Sequence, residues 1–332
     1  MRAKKIIILI SVSAAVLVLS VLTSLALGSR SIGLKDVMGA IFQSDSNSFN
    51  MLVARERIPR TLFSIIAGAS LGVSGALMQA ITRNPIADPS VLGVNTGASL
   101  FVVSGIAFFH ISTANQYIWF ALAGAAVTAV FVYRVGSLGS GGATPIKLAL
   151  AGAATTAALS SLVSAVILPR TEVMNAFRFW QVGSVGGATY EGIGAVAPFL
   201  IIGLLLGIFS APALNALALG DDVATGLGVN TVLVRGIGAL AGVLLCGATT
   251  AIAGPIGFVG LMIPHVMRLL CGPNMRYIVP MSAIGGAVLL TVSDVTGRLI
   301  GYPGELEAGI ITAFFGAPIL ILIAMRAKVR SL

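Results

Sequence analysis

Ten apolar runs separated by short polar connections fill almost the whole chain, and no pair of soluble layers can cover that much hydrocarbon surface. Hydrophobic residues make up 57% of the 332 positions and charged ones only 9%, and the mean hydropathy is +1.02, far from the balance of a soluble domain. In a bilayer every backbone polar group must be satisfied within the segment, so runs of this kind span as helices. The fold class that follows is all-α and polytopic, with helices near 6–28, 61–80, 91–109, 118–134, 146–168, 193–210, 233–252, 257–268, 277–297 and 308–325. About ten transmembrane helices in one domain, 1–332, leave no room for a separate soluble one. Small residues such as Gly68/Gly72 and Gly238/Gly242 let such helices approach closely.

The run at 257–268 is broken by Gly257, Gly260 and Pro264. Broken apolar helix is tolerated only where it packs in protein or lines a cavity, so the break points to a pathway. At about 1.5 Å per residue this segment is too short to cross as a straight helix, and it is expected to tilt or sink between its neighbours. His265 follows Pro264 and reads as a hydrogen-bonded cap at the break, in preference to a metal ligand or proton carrier.

Charge orients the chain. Arg2, Lys4 and Lys5 precede an apolar run longer than the about 7–15 residues of a signal-peptide core, which favours a retained first helix with a cytoplasmic N-terminus. Ten crossings return the C-terminus, with Arg326, Lys328 and Arg330, to the same side. Arg83, Arg134, Lys147, Arg268 and Arg276 then also fall inside, a correct but weak bias, because Arg30, Lys35, Arg55, Arg57, Arg60, Arg170, Arg178 and Arg298 fall outside. Arg55, Arg57 and Arg60 crowd one stretch just before a helix, and serve either to snorkel towards lipid phosphates or to dock an acidic partner. The net charge of +9 is scattered between apolar runs, which argues against nucleic acid. Cys246 and Cys271 have no metal-ligand spacing and read as free packing thiols; no metal site and no cofactor is expected.

The carboxylates bear on the energy source. Only Asp294 lies well within an apolar run, and Arg298 four residues on can pair with it on one helix face, which explains it without a proton relay. The Gly139–Thr144 stretch lacks the pattern that cradles phosphates, so a nucleotide would have to be bound by another subunit. Residues 211–230 read as two short helices: Pro212 begins the first and Gly220 ends it, Asp221 and Asp222 suit the start of the second, and Gly226 and Gly228 stop it. Such a pair either lies flat as a connector or plugs the cleft of a motor domain.

Several blocks in order resemble one family: Arg57-Ile-Pro-Arg60, Ala67 to Gln79, Arg83-Asn-Pro-Ile-Ala-Asp-Pro89, Leu214 to Val229, Gly254 to Arg268, Asp294-Val-Thr-Gly-Arg298 and Gly309 to Pro318. The chain is similar over nearly its whole length to the FecCD-type permeases of BtuC-like, type II ABC importers for iron-siderophores, haem and cobalamin. The resemblance implies a multi-pass permease of the cytoplasmic membrane, paired with an identical or homologous second permease chain, two cytoplasmic ATP-binding subunits and an extracytoplasmic substrate-binding protein. It is not itself an enzyme. Arg57, Arg60 and Arg298 are implied to meet glutamates of the binding protein. Leu214, Leu217, Gly220, Asp221, Asp222, Leu227 and Gly228 are implied to lie in the coupling region, and Asn84, Pro85, Ile86 and Thr144 near the cytoplasmic gate. Pro264, His265 and Asp294 are expected to be structural. Ferric siderophore ranks first as substrate, ahead of haem and cobalamin; an ion-coupled carrier using Asp294 and His265 is the alternative of a different class. Glu305-Leu-Glu departs from the family's Glu-Leu-Pro, leaving the last helix free to start earlier.

Overall fold

The computed structural model describes residues 3–28, 30–42, 48–139 and 144–326. Arg2, Lys328 and Arg330, used above to orient the chain, and residues 140–143 of the glycine-rich loop lie outside the described residues. In chain order the α-helices are α1 (Ala3–Ala26), α2 (Leu34–Phe42), α3 (Phe49–Thr82), α4 (Val94–Phe109), α5 (Ala114–Gly136), α6 (Pro145–Ile167), α7 (Thr171–Gln181), α8 (Tyr190–Leu217), α9 (Asp221–Gly226), α10 (Thr231–Ala253), α11 (Val259–Cys271), α12 (Met275–Ile300) and α13 (Ala308–Arg326), with a 3₁₀ turn at Pro89–Leu92 before α4. Seven are long and apolar enough to cross a membrane, and α4, α11 and α13 are shorter apolar helices. These ten correspond one to one with the ten expected runs.

Helix α3 is the hub, 78% buried over its most apolar window against 6% for α1 and 17% for α6. Its central face is glycine because backbones touch there. A Cβ on Gly68 would stand 2.2 Å from Gly286 O, one on Gly72 2.2 Å from Ser282 O, and one on Gly75 1.9 Å from Gly260 O. The same helix meets α10 through Gly238 and Gly242, where added Cβ atoms would strike Ile81 and Met78, and Ser74 Oγ donates to Gly242 O at 2.7 Å. Side-chain oxygens cap the starts of the outer helices: Thr113 with Gln116 forms a capping box for α5, while Thr144, Thr189 and Asn230 cap α6, α8 and α10.

Four sequence expectations are corrected. Helix α3 starts at Phe49, not near 61, and takes in Arg57, Pro59 and Arg60. Its 34 residues extend about 51 Å, well beyond a hydrocarbon core of about 30 Å, which leaves length to spare for its charged first turns outside the core. Helix α8 runs unbroken through Pro212 to Leu217, so the first of the two short helices is the end of a spanning helix. Helix α11 likewise continues through Pro264; the break lies earlier, at Gly254 (φ 69°) and Phe258 (φ 69°), and His265 sits mid-helix, where it caps neither end. Helices α2 and α7 were unanticipated because neither carries an apolar run of spanning length. The last helix begins at Ala308 as expected, so Glu307 does not extend it.

The glycine contacts make a specific demand. Gly72→Leu is expected to destabilise the protein by more than about 3 kcal/mol, because a backbone oxygen cannot yield as a side chain can; Gly194→Leu, where nothing lies within 4 Å, should be neutral. Thermal unfolding in detergent checks both.

Candidate functional site

The two ends of α3 each carry an arginine that organises a charged cluster. At the first end, Arg60 Nη2 lies 2.7 Å from Asp294 Oδ1 and Arg60 Nη1 2.6 Å from Glu305 Oε2. Asp294 is 1% exposed and also receives Arg298 Nη2 at 3.0 Å, one helical turn away. A carboxylate so buried is held as a charge only by such pairing; the spacing of four between Asp294 and Arg298 gives the expected pair, and Arg60 is a second partner the sequence did not reveal.

The other two arginines turn inward. Arg298 donates through Nη1 to Ser24 O (3.0 Å) and Leu27 O (2.9 Å), and through Nη2 to Ser24 Oγ (2.9 Å). Arg57 donates to Leu25 O (3.1 Å) and Arg30 O (2.6 Å). These carbonyls belong to the last turn of α1 and the chain just after it, where a helix leaves acceptors unsatisfied and favours positive charge. Gly28 lets the chain pass between the two guanidinium groups, since a Cβ there would stand 2.6 Å from Arg57 Nη2 and 3.3 Å from Arg298 Nη1. Arg57 and Arg298 are 7% and 1% exposed, so in this conformation they clamp α1 instead of presenting free surface. Within the cluster the accessible groups are Glu305 and the Nη1 side of Arg60.

At the opposite end, Arg83 caps α3 in the left-handed region (φ 50°) and donates to Leu217 O at 2.6 Å and to Asp221 Oδ1. Arg235, buried on α10, donates to the same Asp221 oxygen at 3.0 Å. Asp221 opens α9, so two arginines from different spanning helices fix this six-residue helix at its N-terminus. Gly220 (φ 115°) and Gly228 (φ 80°) provide the turns on either side. Asn215 on α8 ties in the start of α12 by accepting from Met275 N at 2.8 Å. Leu214 and Leu217 are fully buried and belong to the core, whereas Leu219, Val223 and Leu227 are 64%, 49% and 63% exposed. Val223 and Leu227 share one face of α9 by their spacing of four, and Leu219 stands on the turn before it. Leu219 and Val223 were missed; the spacing of Val223 and Leu227 was visible in the sequence, whereas the exposure of Leu219 in the turn was not. Asp222 lies in the first turn of α9 and completes its acidic start.

Residues 84–93 form an elbow between α3 and α4. Asn84 Oδ1 accepts from Ile86 N at 3.1 Å and Asp88 Oδ1 from Ser90 N at 2.9 Å, while Pro85 and Pro89 stiffen the turns. Asn84, Pro85 and Ile86 are exposed. The elbow touches both α6 and α11: a Cβ on Gly152 would lie 1.6 Å from Val91 O, and one on Gly260 3.1 Å from Asp88 Oδ2. Thr144 is the N-cap of α6 and accepts from Lys147 N at 3.4 Å, so it begins the helix that bears on the elbow. Cys246 and Cys271 are buried free thiols.

A polytopic bundle with a broken helix at its centre and charged, helix-capped ends defines a membrane permease. The sequence model of the FecCD transport family matches residues 16–326, and the chain belongs to that family. It is 41% identical to the Fe(3+)-citrate import system permease protein YfmD of Bacillus subtilis (strain 168), over 92% of this chain and 90% of that protein. To the ferric enterobactin transport system permease protein FepD of Escherichia coli (strain K12) it is 42% identical, over 93% and 92%. Among solved structures it is similar to a metal-chelate type ABC transporter in an inward-facing conformation, with a TM-score of 0.83 and 26% identity over 97% of this chain and 99% of that one.

The first-end cluster separates buried from exposed pairing. Asp294→Asn, which leaves the buried Arg298 without a carboxylate and Arg60 with Glu305 alone, is expected to cost about 3–5 kcal/mol. Glu305→Gln should change stability by less than about 1 kcal/mol. Unfolding of purified variants checks the contrast, and similar losses from both would contradict it.

Proposed function

We propose that this chain is the membrane permease subunit of an ATP-driven importer that carries ferric siderophores across the cytoplasmic membrane. It works beside a second permease chain, with both termini cytoplasmic, two ATP-binding subunits at the α9 end and a substrate-binding protein at the Arg60 end. The observation that carries this reading is the end-to-end likeness to permeases named for ferric citrate and ferric enterobactin import. Local geometry supports the placement of the motor. The exposed Val223 and Leu227 of α9, with Leu219 exposed on the turn before it, offer apolar surface to a cleft, and Asp221, gripped by Arg83 and Arg235, ties α9 to α3 and α10. A stroke received there enters the bundle through its most buried helix.

For docking, Arg60 is the member of the trio with reachable surface. An incoming glutamate would compete with Glu305 for Nη1 and leave the Asp294 pair intact. Arg57 and Arg298 support the patch from beneath by holding the end of α1. The ion-coupled alternative loses its main group, because Asp294 already pairs with two arginines.

Uptake of radiolabelled iron as ferric citrate, a ferric hydroxamate and a ferric catecholate tests the reading in cells with and without the chain. Loss on ATP depletion with the proton gradient held is expected; loss on collapsing the gradient with ATP held would transfer the case to a secondary carrier. Val223→Glu is expected to lower binding-protein-stimulated ATP hydrolysis by about tenfold while the chain reaches the membrane in normal amount, since burying one unpaired carboxylate in an apolar contact exceeds about 1.4 kcal/mol. Arg60→Glu should slow uptake in a salt-dependent way and be partly rescued by a charge reversal on the binding protein; unchanged uptake would remove Arg60 from docking.

A further inference from the structure

An apolar groove of about 300 Å³ runs between α5 and α10 on the outside of the bundle. Residues 126, 129, 130 and 133 of α5 face residues 236, 239, 240 and 243 of α10, the same i, i+3, i+4, i+7 face on each helix. Leu92, Ala129 and Ala239 form a buried floor, while Val130 and Leu240, 55% and 52% exposed, stand up as rims. From 134 to 126 on α5, and from 236 to 244 on α10, each helix advances about 12 Å. That length lies within one leaflet, half of a hydrocarbon core of about 30 Å.

One end of the groove is polar. Tyr133 and Arg134 sit in the last turn of α5, across from Gly236 near the start of α10, so this end lies on the α9 side of the bundle. A Cβ on Gly236 would stand 3.6 Å from the Tyr133 hydroxyl, which therefore reaches across to α10. Neither that hydroxyl nor the Arg134 guanidinium has a side-chain hydrogen bond or ion pair among the described residues. Arg235, next to Gly236, is buried and committed to Asp221, so it does not compete for a ligand at the groove. No lining residue is acidic. A cation and a hydroxyl at interface depth, above a slot of hydrocarbon, match a phosphate joined to an acyl chain.

We propose that this groove binds an anionic glycerophospholipid from the leaflet on the α9 side, with one acyl chain along the groove and the headgroup phosphate accepting from Arg134 and Tyr133. The site goes beyond the importer reading and does not depend on what the permease carries. A zwitterionic choline lipid has the same phosphate, but its quaternary ammonium adds positive charge near Arg134, so net charge decides the preference.

Native mass spectrometry of the full-length chain, alone and with the subunits that co-purify with it, tests this with dioleoyl phosphatidylglycerol, dioleoyl phosphatidylcholine and inorganic phosphate as probes. The wild type is expected to bind phosphatidylglycerol about fivefold or more tighter than phosphatidylcholine, the worth of one arginine near an anionic surface. Arg134→Gln, at an exposed position, should bring the two lipids within about twofold of each other. Gly236→Leu meets only the Tyr133 hydroxyl and fills the polar end of the groove; it should weaken both lipids by about fourfold or more, the worth of one methylene kept out of the groove. Equal binding of the two lipids by the wild type overturns the proposal, as does an unchanged preference in Arg134→Gln or unchanged binding in Gly236→Leu. Displacement of phosphatidylglycerol by inorganic phosphate would mark a free-anion site and overturn it too. Lipid held by the chain alone but absent from the assembled complex would make the groove a protein interface, and equally overturns it.

Discussion

Direct backbone contact along α3 is the constraint on which the rest of this structure depends. In lipid there is no hydrophobic force between helices, so association rests on close packing and interhelical hydrogen bonds. Gly68, Gly72 and Gly75 bring the α3 backbone against α12 and α11, and Ser74 and Gln79 add hydrogen bonds to Gly242 O and to the backbone oxygens of Gly260 and Leu261. The half-length α11 can therefore sit inside the bundle: its first turn leans on Gly75, and Gln79 Nε2 donates to its Gly260 and Leu261 carbonyls. A spanning helix without those glycines would hold α11 and α12 away and expose the break at Phe258 to lipid.

The same helix links the charged ends. Arg60 and Arg83 lie twenty-three residues apart on α3, about 34 Å along its axis. Each grips a carboxylate that a second arginine also holds: Asp294 is shared with Arg298, and Asp221 with Arg235. The arrangement is alike and its consequence differs. Asp294 is buried and cannot lose a partner cheaply, whereas Asp221 is exposed and fixes the position of a short helix more than it adds stability. One end is a lock and the other a rigid handle.

Much of the fold was legible because membrane spanning leaves few choices. Ten apolar runs give ten apolar helices, and the glycines at 68, 72, 238 and 242 mark close approaches that the structure bears out. The Asp294–Arg298 pair follows from a spacing of four. Two of the errors share one cause: Pro212 and Pro264 read as breaks, yet both lie within continuous helices. A proline removes a single donor, and packing on every side of a membrane helix can absorb that loss. The cluster at Arg60 was half legible, since the identity of the arginines was visible and their direction was not.

The sequence by itself determined the class of structure and the rough placement of its ten apolar helices, since hydropathy and backbone satisfaction act locally and leave little freedom. Only the tertiary structure decided which polar groups face one another. Arg57 and Arg298 end on the carbonyls of α1, more than twenty residues away or more than two hundred; Asp221 joins α3, α9 and α10; Asn95 on α4 accepts from Thr250 on α10. Such contacts depend on where long-separated segments meet in space, and hydrogen bonds and ion pairs act only at contact distance, so no local pattern encodes them.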